Sequence, residues 1–413
     1  MYFLSIIKIE RRETMKRSKL IRISKNNSKY KLIDSLSLKS KNLYNYANYL
    51  IRQEFILNGK WIRYNELNKR LKEEIVYKEL PIQTSQQTLM LLDKNWKSYF
   101  NSIKDWSKNK SKYSGKPKLP KYKKKDGRFN VVFTNQQAKH KNGIIKICPA
   151  SLDLIFNINI ENKIKQIQII PKNNFYQLEI IYEIDKKEVE LNDELYCGID
   201  LGINNLITLT DNLHNNPIVI NGKIIKSINQ YYNKKRAEIQ STLLIKNKKT
   251  WSNKLTQLTE KRNNKIKDYM HKSSRYIINY CLSNKIKTIV IGYNQNWKER
   301  LIVSKQQNQN FFQIPYLTLI EMIQYKAEEY DIDVILTEES YTSKASFLDL
   351  DEMEKDFKFN GERIKRGLYK TNNGILINAD VNGSYNIIRK VAPNVFTDGV
   401  EGVKLHPLKI NFS

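Results

Sequence analysis

Tyr196-Cys197-Gly198-Ile199-Asp200-Leu201-Gly202-Ile203-Asn204-Asn205, followed by the apolar run Leu206-Ile207-Thr208-Leu209, decides how the rest of the chain is read. Its alternation predicts two short strands joined by a Gly/Asn turn, with one carboxylate, Asp200, facing out between apolar neighbours. Far downstream stands a second acidic island, Ile377-Asn378-Ala379-Asp380-Val381-Asn382-Gly383-Ser384-Tyr385-Asn386, just ahead of a helical pattern. A single Asp between glycines is commonly a turn residue, so neither stretch fixes a chemistry alone.

Taken together they point further. An Asp on a first strand and an Asp at the start of a late helix are what a ribonuclease-H-like fold brings together to hold divalent metal. Two hard cations about 4 Å apart can then activate the attacking water and stabilise the leaving oxygen of a phosphodiester. G-I-D-L-G also opens the phosphate loop of actin- and chaperone-type ATPases, but those need a second glycine-rich phosphate loop between the two Asp residues. None occurs here.

The 413 residues are enough for two or three domains. Lys and Arg number 72 against 42 Asp and Glu, a net charge of +30 spread along the chain, and the pI is about 9.7. Such an excess implies a polyanion partner, and nucleic acid fits best. No apolar run reaches the roughly 18 residues of a membrane span, and no strong basic amphipathic anchor stands out, so no membrane partner is expected. Cys148, Cys197 and Cys281 are far apart and form no C-x-x-C pair. A disulfide framework and a zinc ribbon are therefore unsupported, and a cytoplasmic, nucleoid-associated protein is expected. Residues 1–15 read as an extension outside the organised sequence, too short for a signal peptide, with Met15 as an alternative initiator.

Along the chain the pattern predicts an α+β multidomain protein. Residues 16–35 and 106–190 read as a β-barrel, interrupted by a helical bundle over 36–105. In that bundle Leu36, Leu43, Ala47 and Leu50 recur at helical spacing. A second helix, capped by Thr84 or Ser85, carries Leu89, Leu92, Trp96, Tyr99 and Ile103 on one face. Ser107 to Arg128 is a basic linker with nine Lys and one Arg against one Asp. Pro117 and Pro120 forbid a helix there and hold Lys116, Lys118, Lys121, Lys123, Lys124 and Lys125, with Tyr122 among them, on an extended track suited to a phosphate backbone. The alternative is a merely solvated charge run. Residues 191–391 read as α/β: strands at 196–201, 205–210 and 217–221, basic helices near 227–245 and 253–283, a strand at 288–291, a helix at 316–330, a strand at 333–336, an irregular stretch 340–376, and the helix opened by Asp380. Arg262, Lys265, Lys272 and Arg275 ring the second basic helix and are further nucleic-acid candidates. Residues 392–413 read as a loosely ordered tail.

Jointly these segments resemble the TnpB (OrfB) family of insertion-sequence transposons, which looks ancestral to type V CRISPR nucleases. The resemblance runs from about residue 36 to 391. It is carried by Leu80-Pro81 with Gln86-Gln87-Thr88-Leu89, by the Gly115 to Tyr122 segment, by G-I-D-L-G-I-N-N-L, by I-V-I-G-Y-N with Trp297-Lys298, by Tyr341-Thr342-Ser343-Lys344 and by N-A-D-V-N-G-S-Y-N. It implies an RNA-guided DNA endonuclease with a split RuvC site, in which Mg²⁺ ions are held by Asp200 and Asp380. It also implies a guide RNA from the transposon end, a short flanking DNA motif read by the barrel and bundle, and a double-stranded target specified by base pairing.

Two departures bear on that expectation. The family's usual glutamate ends the fourth strand, where this chain has Gly292. The neighbouring strand ends in Thr337-Glu338-Glu339-Ser340, and adjacent strands lie about 4.8 Å apart. We therefore expect a relocated ligand, Glu339 first and Glu338 second. Asn382 and Asn386 are weaker candidates for supporting the metal site. The second departure is in 340–376, a degenerate zinc-ribbon insertion without cysteine, for which no zinc is expected. There Arg363, Lys365 and Arg366 either hold nucleic acid or are solvated. The alternative functions are an RNA-guided DNA-binding repressor that has lost cleavage and a miniature type V CRISPR effector.

Overall fold

The computed structural model describes residues 14–294, 313–396 and 399–412. The Trp297-Lys298 motif and most of the 1–15 extension lie outside them. The chain divides into two units, residues 14–185 and residues 186 onward.

In the first unit β1 (Thr14–Ser24) leads into α1 (Tyr30–Asn58), α2 (Tyr64–Leu71), α3 (Ile75–Lys78) and α4 (Ile82–Lys108). Ile33, Leu36, Leu43, Ala47 and Ile51 recur at three-, seven- and four-residue spacing and bury one face of α1. The helix stops at Gly59, whose φ of 66° suits a residue without Cβ. Leu89, Leu92 and Trp96 bury the facing stripe of α4, and the Trp96 indole donates to Asn48 Oδ1 at 3.0 Å. Neither Thr84 nor Ser85 caps α4, which starts earlier, after Pro81. Both are buried inside the helix, where Ser85 Oγ donates to the Tyr77 carbonyl at 2.7 Å.

The strands β2 (Val131–Thr134), β3 (Ala138–Lys141), β4 (Ile144–Ile147), β5 (Ile155–Asn157), β6 (Ile164–Pro171) and β7 (Phe175–Asp185) follow. They form a four-stranded antiparallel sheet, β1-β7-β6-β2, and a separate three-stranded one, β3-β4-β5. The single barrel expected from the sequence is thus two sheets: β3, β4 and β5 are only three or four residues long and pair with one another. Nor are barrel and bundle separate, since Ile33, Leu43 and Trp96 share one core with Phe133, Ile167 and Leu178.

The second unit contains β8 (Asn192–Leu201), β9 (Asn205–Asp211), β10 (Ile218–Asn221), α5 (Lys223–Asn247), α6 (Asn253–Ser283), β11 (Ile286–Gly292), α7 (Tyr316–Glu328), β12 (Asp333–Thr337), β13 (Glu362–Lys365), β14 (Leu368–Lys370), β15 (Leu376–Asn378), α8 (Ala379–Val391) and β16 (Leu408–Ile410). Its sheet runs β12-β11-β8-β9-β10-β16, with β8, β9 and β10 antiparallel and β11 and β12 added in parallel. The stretch 340–376 is not wholly irregular: β13, β14 and β15 make a small antiparallel sheet. The tail is not loose either. β16 pairs in parallel with β10, and Phe396 packs edge-on to Phe347 and Tyr385. Short apolar runs separated by Gly, Pro and Asn hide such a late edge strand from a periodicity reading. No helix among the described residues is long and apolar enough to cross a membrane.

Helix α8 lies against β8 and β9, and Gly198 sets how closely. A Cβ there would stand 2.4 Å from the Ser384 carbonyl oxygen and 2.7 Å from Ile388 Cγ1. Ser384 Oγ, in turn, donates to the Gly198 carbonyl at 2.9 Å. This contact fixes the register of the helix bearing Asp380 on the strand bearing Asp200. Gly198→Ala is therefore expected to cost about 1–3 kcal/mol by overpacking, read as a lower midpoint in denaturant unfolding; an unchanged midpoint would show that the helix is not seated on this backbone.

Candidate active site

Asp200 sits opposite Thr208 near the end of β8, and its Oδ2 lies 3.3 Å from where a Cβ on Gly383 would stand. Asp380 is the second residue of α8, whose N-terminus is capped by the Asn378 side chain accepting from the Asp380 and Val381 amides at 3.0 and 3.2 Å. Glu339 lies two residues beyond β12. Gly292 ends β11 opposite Thr337, and a Cβ on Gly292 would come within 2.6 Å of Glu339 Oε1 and 2.7 Å of its Cγ. The glutamate side chain thus fills the volume that the glycine leaves open. Glu338 points elsewhere: it is exposed, and its Oε1 accepts from Ser340 Oγ at 2.6 Å. The turn between them is held by Lys390, whose Nζ donates to the Glu338 and Ser340 carbonyls at 2.8 and 2.9 Å, and by Asn294 Oδ1, which accepts from the Glu339 amide at 3.1 Å.

The electrostatics follow from burying like charges. Burial pushes the Glu339 carboxyl up to about 7, with Lys390 pulling the other way. Asp200 is held well above the usual carboxylate range by burial first, then by the charges of Glu339 and Asp380, against the pull of Arg363. Arg363 Nη2 lies 3.7 Å from Asp380 Oδ1, and Asn205 Nδ2 donates to Asp380 Oδ2 at 2.7 Å. Among the described residues no three acidic, histidine or cysteine side chains stand close enough to grip one ion as they are arranged. Glu339 Oε1 is nevertheless buried without a hydrogen-bond partner, and the charges of Glu339 and Asp380 both act on Asp200. Such an orphaned oxygen suits a hard divalent cation, and an all-carboxylate donor set favours Mg²⁺ or Mn²⁺.

Asn382 and Asn386 do other work. Asn382 donates to the Ala345 carbonyl at 2.8 Å and accepts from the Phe347 amide at 2.9 Å, and Asn386 donates to the Thr342 and Ala345 carbonyls. Both anchor the segment that follows Glu339. Farther along, where neither Cys nor His occurs between 343 and 376, buried Asp351 accepts from the Ser346 and Asn360 amides at 2.8 and 3.1 Å. Asn205 and Tyr316, whose hydroxyl donates to the Gly202 carbonyl at 2.9 Å, are site neighbours that sequence reading missed, and Arg363, read from the sequence as holding nucleic acid or solvated, lies beside Asp380. Asn205 stood inside the deciding stretch, but no local pattern links it to a residue so far downstream.

The nucleic-acid candidates divide in two. In the linker Lys116, Lys118, Lys121, Tyr122, Lys124 and Lys125 are exposed. Lys123 is half-buried, its ammonium 4.8 Å from the Tyr44 ring and 4.9 Å from that of Phe129. Its backbone exchanges two hydrogen bonds with the Asn45 side chain, while Asn48 and Arg52 hold the Pro120 carbonyl. The linker is thus strapped in extended form along α1. In the other unit Lys265 and Lys272 are exposed and Arg275 is half-buried, and Lys272 pairs with Asp268 at 3.0 Å. Arg262 is tied inward to Asn229 Oδ1 at 2.8 Å and to the Gln313 carbonyl at 2.9 Å.

Glu339 binds its proton more tightly folded than unfolded, so its contribution to stability falls as pH rises from about 4.5 through about 7. In metal-free protein, Glu339→Gln should raise the melting temperature by a few degrees near pH 8 and leave it almost unchanged near pH 5. A melting difference independent of pH would mean that this carboxyl is not buried against its neighbours.

No curated protein matches the sequence. The OrfB_IS605 family model, described as "Probable transposase", matches residues 179–298, a span that holds Asp200 and Gly292. The "Cas12f1-like, TNB domain" model matches residues 316–387, which hold Glu339 and Asp380. Among solved structures the chain is similar to one titled "Cryo-EM structure of the Cas12f1-sgRNA-target DNA complex", at 15% identity over 87% of this chain and 82% of that one, with a TM-score of 0.56. A "mini-RNA-guided endonuclease CRISPR-Cas_phi3" aligns over 96% and 94% at 10% identity, but its TM-score of 0.43 is too low to carry weight. The fold is mixed α/β like that of the Cas12f1 structure, and both family models fall on the half that bears the carboxylates, so that half is similar to OrfB_IS605 and Cas12f1-like proteins.

Proposed function

We propose that the protein is an RNA-guided, Mg²⁺-dependent DNA endonuclease of the TnpB type, hydrolysing phosphodiesters at Asp200, Glu339 and Asp380. The observation that carries this reading is the Glu339 side chain lying over Gly292 with a buried, unpartnered oxygen. The glutamate missing from the end of β11 is thereby supplied from the end of β12.

Asp200, Glu339 and Asp380 would hold the metal. When bound, a pair of such ions supplies the activation of the attacking water and the stabilisation of the leaving oxygen. The chain's own part is to keep the carboxylates aimed. Lys390 and Asn294 fix the turn that carries Glu339, and the Ser384–Gly198 contact fixes α8. Arg363 holds a planar cation beside Asp380, a geometry suited to phosphate oxygens. The net charge of +30 and the exposed linker lysines support a polyanionic guide and target. The similar Cas12f1 structure was solved with sgRNA and target DNA. We take the guide to derive from the transposon end, with base pairing selecting the target.

The test is cleavage of a guide-matched duplex by protein purified with its co-purifying RNA. Asp200→Ala, Glu339→Ala and Asp380→Ala should reduce Mg²⁺-dependent cutting to background without loss of bound RNA, whereas Glu338→Ala should retain most of it. Target binding without cutting at any Mg²⁺ concentration would make the protein an RNA-guided DNA-binding repressor. Equal activity of the Glu338 and Glu339 variants would refute the relocated ligand.

A further inference from the structure

We propose that Asn205 and Tyr316 are positioning residues for metal binding: Asn205 restricts Asp380 to one ligating oxygen, and Tyr316 holds rigid the turn that presents Asn205. This rests on the metal-dependent reading above and adds to it residues outside the carboxylate set.

A carboxylate can meet a cation with one oxygen or both, and what its oxygens already touch decides which. Asn205 Nδ2 donates to Asp380 Oδ2 at 2.7 Å, so that oxygen has a partner within the protein. Only the amide NH₂ can face a carboxylate at this distance, because the amide oxygen would be repelled. Oδ1 faces Arg363 across 3.7 Å, an ion pair longer than a hydrogen bond, and is the oxygen a cation would take. Neighbours of this kind orient ligands and set how tightly a metal is held.

The restriction is useful only if Asn205 itself cannot drift, and the β8–β9 turn is closed from several sides. The Gly202 amide donates to the Leu206 carbonyl at 3.3 Å, and the Gly222 amide donates to the Asn204 carbonyl at 2.8 Å. No side chain fits at either glycine: a Cβ on Gly202 would stand 2.5 Å from the Asn205 carbonyl oxygen, and one on Gly222 would stand 2.2 Å from that of Ile203. From the start of α7, buried Tyr316 donates its hydroxyl to the Gly202 carbonyl at 2.9 Å. Burial first, and then the charges of Asp200 and Glu339, oppose ionisation of that hydroxyl. A single tyrosine thus links α7 to the turn, and the turn links to Asp380.

The experiment titrates Mn²⁺ into the RNA-bound protein and reads both the metal-induced rise in melting temperature and the rate of target cleavage. Asn205→Ala should raise the half-saturating Mn²⁺ concentration by ~10–100-fold in both readouts, with cleavage at saturating metal within a few-fold of wild type and bound RNA unchanged. Tyr316→Phe removes one oxygen without disturbing the packed ring, and should shift the same curve in the same direction by a smaller factor. If wild type binds Mn²⁺ and cuts while Asn205→Ala, or Tyr316→Phe should the alanine variant not fold, follows the wild-type metal curve, this inference is wrong. If wild type shows neither a Mn²⁺-induced shift nor cleavage, the metal-dependent reading fails and the inference falls with it.

Discussion

The second unit depends on one close contact, that of α8 with the backbone of β8 at Gly198. Two elements nearly two hundred residues apart in sequence can carry Asp200 and Asp380 side by side only if the helix comes closer to the strand than a side chain would permit. The absent Cβ removes the obstacle, and the Ser384 hydroxyl, hydrogen-bonded to the Gly198 carbonyl and within 3.2 Å of the Thr208 carbonyl, turns proximity into register. Ile388 and Tyr385 then bury the helix against the sheet. Helix position, and with it the geometry of the acidic site, is thus decided by a glycine and a serine that take no part in any chemistry.

The same unit concentrates a cost that the rest of the fold offsets only partly. Burying a carboxylate is unfavourable without a counter-charge; burial makes Glu339 hold its proton more tightly, and at Asp200 the charges of Glu339 and Asp380 add to burial. Lys390 and Arg363 lie near enough to moderate the repulsion, yet Glu339 Oε1 still has no partner. Asp380 is held by Asn205, and the turn carrying Glu339 is held by Lys390. The proposed exchange of a glutamate at the end of β11 for one beyond β12 would rest on parallel neighbours presenting their C-terminal ends at one edge. A glycine on the first strand leaves room for the side chain from the second.

Much of this was legible in the sequence, for identifiable reasons. The 196–209 stretch alternates cleanly and carries its turn signal, so β8 and β9 fall where periodicity put them. The long basic helices likewise fall near their predicted ranges, because long periodic segments carry the strongest signal. The 192–201, 205–211, 218–221, 286–292 and 333–337 strands make the expected sheet core, while β16 escaped notice because three residues among turn formers have no period to read. The two-sheet arrangement of the first unit also escaped, since alternation predicts strands but not which ones close on which. At the site, Asp200 and Asp380 stood out as acids in apolar settings. Glu339 came from reasoning about strand spacing. Asn205 and Tyr316 left no local trace because each matters only through a tertiary neighbour, and Arg363 showed as a cation but not as a neighbour of Asp380. Lys123 and Arg262 show a different limit: a cation in a basic run gives no sign in the sequence of the aromatic pair or the carbonyl that it meets in the fold.

The most direct test of the acidic centre is to locate its ions. Anomalous diffraction from crystals of the RNA-bound protein grown with Mn²⁺ should give density within about 2.0–2.3 Å of oxygens from Asp200, Glu339 and Asp380, with Glu339 Oε1 among the ligands. Density held by Glu338 instead, or none between these three side chains, would contradict the account.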